Sequence, residues 1–227
     1  MAFESVIQAL HPLEVVGLGE EALGFLGAVA LLNSYMLVPS ESDFDLAAQK
    51  LVEAGFRPAP WSYGIIDPHN IPDDERGRRT KSLDNTGYRM LDDNSVRFQF
   101  PAGFSGPERV VLLRSTYVGL SPPNDLSSMQ RFYCDRNLYY PDKALLLESI
   151  IRTLLKDSPG IWHETLGAWA ISYIYGIVMV EDTILDSCDD ESVRLWFNEN
   201  IRRGKGGLDR TTVTKRVGRG QALAKQA

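Results

Sequence analysis

The chain has 227 residues, 44% of them hydrophobic, with 24 Lys or Arg against 30 Asp or Glu and a net charge of −6. That length and apolar content suffice for a sizeable core, as one large domain or a domain with a helical extension, and exclude a body of disorder-like composition. The charge is uneven: residues 202–227 carry eight basic side chains against Asp209 alone, leaving residues 1–201 with 16 basic and 29 acidic ones, a net of −13. Such an acidic body argues against broad nucleic-acid binding, so phosphate contacts are expected from the basic tail or not at all.

Residues 3–10 have a short helical pattern ended by Pro12, and residues 20–32 read as a second helix, or a helix broken at Gly27. Residues 33–38, NSYMLV, are rich in strand formers and stop at Pro39, which predicts a strand. The acids that follow admit two readings. On a strand, Asp43 and Asp45 would point to one face and converge on a divalent cation such as Mg²⁺. On a helix, Ser40 is the N-cap, Glu41, Asp43 and Asp45 crowd the positive end of the dipole, and Phe44, Ala47, Ala48 and Leu51 recur at helical spacing up to a C-cap at Gly55. The helical reading accounts for every residue from 40 to 55.

Residues 57–85 turn to Pro, Gly, Asp and Arg with little periodicity and predict a long loop. Its cluster of Arg76, Arg78, Arg79 and Lys81 reads either as a clamp for a phosphate or carboxylate or as a solvated counterweight to Asp73, Asp74 and Glu75. His69 has no second histidine at zinc-ligand spacing. Residues 88–100 predict a hairpin turning at Asp92-Asp93-Asn94, with Val96, Phe98 and Phe100 on one face and Arg97 and Gln99 on the other. Residues 108–120, ERVVLLRSTYVGL, predict the strongest strand, and residues 121–141 a connection.

A helical part follows. Asp142 is placed to cap a helix running to Lys156, with Leu147, Ile150, Ile151 and Leu154 inward. Residues 161–180 give a second helix with a stripe of Trp162, Leu166, Trp169, Tyr173, Ile174 and Ile177, and residues 189–203 a third that stops at Gly204. Gly204-Lys205-Gly206-Gly207 lacks the spacing of a phosphate-binding loop. The expected organisation is an α/β core over residues 1–125, a helical part over 126–203 and a basic tail over 204–227.

Cys134 and Cys188 show no metal-ligand spacing and read as free thiols in a reducing compartment. No basic region precedes a long apolar run at the start, so no secretory signal is expected. The longest uncharged apolar run, residues 166–180, has 15 residues, short of the roughly 20 that span a bilayer. A cytoplasmic protein without a membrane partner is the expectation; oligomeric state is left open.

In order along the chain, Gly27-Ala28, Ala30-Leu31, Asn33, Tyr35, Val38-Pro39 and Ala54-Gly55-Phe56 resemble the nucleotidyltransferase superfamily, in particular the fungal nucleotidyltransferase-like proteins. That family has a small-residue turn, an Asp-x-Asp strand between two Val-Pro pairs, and a helix closed by Ala-Gly-Phe, whereas only one Val-Pro stands here. If it matches the first pair, Asp43 and Asp45 are the catalytic metal ligands; if the second, Asn33 and Tyr35 occupy the acid positions and the metal pair is gone. The resemblance implies an α+β fold, a nucleotidyltransferase-like mixed sheet with helices and a C-terminal helical part. It also implies a third carboxylate on a later strand, where this chain has Arg97, Gln99 and Arg114 instead.

Three functions follow. The first is a pocket without its metal site, holding a polar or anionic small molecule or running a reaction that needs no metal pair, with Gly27, Asn33, Tyr35, Arg97, Arg114 and Tyr117 at the ligand. The second is an active Mg²⁺-dependent nucleotidyltransferase using Asp43 and Asp45, with phosphates on the Gly27-Ala28 turn and a nucleoside monophosphate passed to a hydroxyl or amine. The third is a protein-interaction module docking through its acidic body or basic tail.

Overall fold

The computed structural model describes residues 2–66, 68–103 and 109–202. Seven strands form one mixed sheet: β1 (Val15–Leu18), β2 (Ser34–Pro39), β3 (Arg57–Pro58), β4 (Ser95–Gln99), β5 (Arg109–Leu113), β6 (Phe132–Asp135) and β7 (Leu138–Pro141), in the order β3-β4-β5-β2-β1-β7-β6. β2 lies antiparallel to β1 and parallel to β5, pairing Met36 with Leu18 on one side and Ser34 with Arg109 on the other. Every residue of β1, β2 and β5 is buried, as a sheet covered on both faces demands. The fold class is α+β, as expected.

Helix α1 (Ala2–Leu10) and helix α3 (Phe44–Glu53) pack together on one face, where Phe3 stacks on Tyr35 at 4.4 Å. The other face carries α2 (Gly19–Phe25). Helix α4 (Glu75–Gly87) and the short helices α5 (Arg89–Asp93), α6 (Ser115–Val118) and α7 (Leu126–Met129) link the strands, and α8 (Lys143–Lys156), α9 (Ile161–Ala168) and α10 (Glu191–Phe197) follow. As expected, Asp142 caps α8 by accepting from the Leu145 N–H at 2.6 Å, and Leu147, Ile150, Ile151 and Leu154 are buried.

Several expectations need correction. The boundary at residue 125 cuts through the sheet, because β7 pairs with β1 in parallel and β6 with β7; the connection 121–141 is therefore two strands and a helical turn. The predicted hairpin 88–100 is helix α5 followed by β4, and the strand predicted over 108–120 stops at Leu113, giving way to α6. Loop 57–85 contains α4, which carries Arg76, Arg78 and Arg79 exposed on its surface. That helix has no apolar stripe to betray it; Asp74 starts it by accepting from the Gly77 N–H at 2.8 Å. Beyond α9 the chain runs on as a π-helix over Trp169–Ile177, whose wider turn rotates the stripe, so Tyr175 is buried while Ile177 is 49% exposed. The third helix likewise ends in a π-helical turn, Asn198–Arg202, and the predicted tail lies outside the described residues. No helix among the described residues is long and apolar enough to cross a membrane.

Candidate functional site

The stretch from Ser34 to Phe56 folds as strand, turn and helix. Ser40 Oγ accepts from the Asp43 N–H at 3.2 Å and donates to its carboxylate at 2.7 Å, inside the 3-10 turn Glu41–Asp43 that leads into α3. Asp45 is exposed in the first turn of α3. These are the positions of the helical reading, and they set the two carboxylates at a helix start. The acid of this segment with tertiary partners is Glu41, which sequence reasoning placed only among the dipole-compensating residues. Its carboxylate accepts from Arg114 Nη1 at 2.7 Å, Ser115 Oγ at 3.1 Å, Thr116 Oγ1 at 3.1 Å and the Thr116 N–H at 3.3 Å. Partial burial opposes its charge, but those bonds outweigh it and hold the carboxyl below its ordinary range.

A magnesium pair does not fit these residues. Asp43 is engaged by Ser40, Asp45 faces solvent, and among the described residues no group of three His, Cys, Asp or Glu side chains could hold a metal ion.

The other expected ligand residues scatter. Gly27 ends α2, at φ +96, with its N–H on the Gly24 carbonyl and that of Ala28 on the Leu23 carbonyl, so the turn's amides close the helix and are not turned toward a phosphate. Tyr35 is core, between Phe3 and Phe100. Arg97 is 8% exposed and donates to the Trp61 carbonyl and Ser95 Oγ while pairing with Asp92 at 3.1 Å. Arg114 lies on Glu41 and over the Phe44 ring. Tyr117 is buried, accepts from the Trp162 indole N–H at 3.0 Å, and has its hydroxyl pKa pushed up by burial. Of the set, Arg97 lines one hollow, where it is already engaged, and Asn33 borders another.

The hollow at Asn33, about 260 Å³, is lined by Asn33, Tyr63, Gly64, Ile66, Tyr88 and Arg109. It opens where β1 ends and β2 and β5 begin. Gly19 turns the chain from β1 into α2 at φ +67, a conformation L side chains rarely adopt, and a Cβ there would come within 3.1 Å of both Met36 and Trp169. The next residue, Glu20, is thereby buried beside the hollow at 8% exposure. Asn33 Nδ2 donates to Glu20 Oε1 at 3.2 Å, while Oε2 is sealed from solvent without a hydrogen-bond partner. Burial raises the Glu20 carboxyl above its ordinary range, against the pull of its own backbone and of Asn33.

Comparison with protein-family models, curated proteins and solved structures found no match.

The loop carrying Tyr63 is pinned by arginines from two neighbouring strands. Arg97 of β4 holds the Trp61 carbonyl, and Arg109 of β5 donates to the carbonyls of Tyr63 at 2.6 Å and Ile65 at 3.3 Å while lying 4.9 Å from the Tyr63 ring centre. Asp92 adds an acceptor for the Tyr63 N–H at 2.8 Å. Tyr63 itself shares a 3.1 Å hydrogen bond with Ser34 Oγ, and burial together with the Glu20 charge pushes its pKa up to about 12. It therefore stays a neutral phenol. A larger hollow of about 400 Å³ lies between α3 and β3–β4, but its lining is mainly Ala48, Val52, Pro58, Ala59, Pro60 and Val96, and its one charged group is the engaged Arg97. Chemistry favours the smaller one. Sequence reasoning found Asn33 and missed Glu20, Tyr63, Tyr88 and Arg109, because β1 has only four residues and the Tyr63 loop has no periodicity.

Proposed function

We propose that this protein binds a polar small molecule in the hollow bounded by Asn33, Tyr63, Tyr88 and Arg109, on a nucleotidyltransferase-like chain that has lost two-metal phosphoryl transfer. The observation that carries the reading is the convergence there of polar groups from Asn33 just before β2, from β5 and from the Tyr63 loop, backed by a buried, incompletely paired Glu20. Buried carboxylates are normally fully hydrogen-bonded, and exceptions cluster where a protein does something other than fold. Two aromatic rings with a few placed polar groups suit an organic ligand of modest size.

This reading departs from the alignment in which Asp43 and Asp45 are catalytic, and supports the one that puts Asn33 where the family has an acid. Purified protein given Mg²⁺ and radiolabelled nucleoside triphosphates is expected to transfer no nucleotide in an Asp43-dependent way; transfer abolished by Asp43→Ala would overturn the proposal. In amide NMR spectra, small polar fragments are expected to shift Asn33, Gly64 and Ile66 first; shifts confined to the α3–β4 hollow would move the site there.

A further inference from the structure

Arg109, the cation lining the hollow, is engaged, while among the described residues the side-chain carbonyl oxygen of Asn33 is not. Arg109 donates to two carbonyls and covers Tyr63, and Arg97, one strand away, is spent on Asp92, Ser95 and Trp61. Asn33 gives its Nδ2–H to Glu20 and has no donor to its Oδ1 among the described residues. Because Glu20 is buried and takes the N–H end of that amide, the Oδ1 end is left for the hollow that Asn33 lines. A flipped amide would set oxygen against an ionised carboxylate, so the two residues together fix which end a ligand meets. Residues 1–201 also carry a net charge of −13, which concentrates cations around them.

We infer that the site is selective for a planar ligand bearing N–H donors, such as an amidine, a guanidine or a protonated amino-heterocycle, with Asn33 Oδ1 accepting from it and Glu20 acting as the positioning residue that holds the Asn33 amide. Tyr88, whose ring centre lies 5.2 Å from that of Tyr63 at an interplanar angle of 55°, gives such a group an aromatic surface that favours a cation. The inference rests on the proposed function and names its ligand class.

Three fragments of the same shape test it: benzamidine, which only donates; benzamide, which does both; and benzoate, which only accepts. Titration by ligand-observed NMR against the full chain is expected to give affinities in that order, with benzamidine about tenfold or more ahead of benzoate, the size of one charge-assisted hydrogen bond. Asn33→Leu, an exposed position, should abolish the preference. Glu20→Gln should erode it, since two facing amides pair in either orientation. The double variant Glu20→Gln/Asn33→Asp exchanges donor and acceptor, returns an acceptor to the hollow, and should restore the preference. A purely structural role for Glu20 predicts that Glu20→Gln alone leaves the order of the three fragments unchanged. Benzoate binding best, or an unchanged order in Asn33→Leu, overturns the inference and leaves the proposed site standing; failure of all three fragments to bind overturns both.

Discussion

Two glutamates at opposite ends of β2 have opposite environments. Glu41, just past its C-terminal end, is partly exposed yet accepts four hydrogen bonds from Arg114, Ser115 and Thr116. Glu20, beside its N-terminal end, is buried yet accepts from one side chain and leaves an oxygen bare. The first needs those partners least, since water would serve it; the second needs them most. The contrast shows where this chain spends polar groups on tying loops together and where it leaves one unspent. The unspent one lies beside the hollow.

A third acid marks the far end of that scale. Asp92 is half-buried against the buried Arg97, and that burial raises the Asp92 carboxyl even against the bonds of Ser62 and Tyr63 and the Arg97 charge, while lowering the pKa of Arg97. Removing the arginine strands a half-buried carboxylate and frees the Trp61 carbonyl. Arg97→Met is therefore expected to cost about 3 kcal/mol, read from urea unfolding at neutral pH. It should also loosen the Tyr63 loop, seen as faster amide exchange at Tyr63 and Gly64. A cost below about 1 kcal/mol would mean that the pair is solvated, and would remove the reason for treating Glu20 as exceptional.

Glu20→Gln acts in the other direction. The folded carboxyl pKa is raised above the ordinary 4.5, so the group costs nothing below the unfolded value, and stability is lost as pH rises from there through the folded one. The variant removes that loss. It is expected to be more stable than the parent by about 1 kcal/mol at pH 8 and indistinguishable at pH 4, by thermal or urea unfolding at the two pH values. Destabilisation at pH 8 would show that the bare oxygen has found a donor.

What the sequence disclosed about these places follows from how local the cause is. The turn at Ser40, the helix it starts and the cap at Gly55 are written in adjacent residues, so Asp43 and Asp45 were legible as helix-start acids. The same holds for Asp142 and the apolar face of α8. The internal partners of Arg97, Arg114 and Tyr117 were not legible, because Asp92 with Trp61, Glu41 and Trp162 include groups up to 73 positions away, and no spacing rule reaches that far. The place of Gly27 at the end of α2 was hidden for a different reason: a small-residue turn that ends a helix and one that precedes a phosphate-binding helix look alike in one dimension. Glu20 was hidden because β1 is short, and without that strand nothing says that the residue after Gly19 is buried.

The smallest effect belongs to Glu41. Its folded pKa is depressed, so its contribution is present above the ordinary 4.5 and is lost as pH falls through the folded value. The side chain is 39% exposed and Arg114 41%, so screening by water and salt discounts the four bonds heavily. Glu41→Gln keeps the shape and most of the acceptor geometry while removing the charge. It is expected to cost under about 1 kcal/mol at pH 7, less again in 1 M salt, and progressively less as pH falls below the ordinary 4.5. A loss as large as that of Arg97→Met would mean that the turn at Glu41–Asp43 is held to α6 by a desolvated pair, and the contrast between the two ends of β2 would then be one of degree.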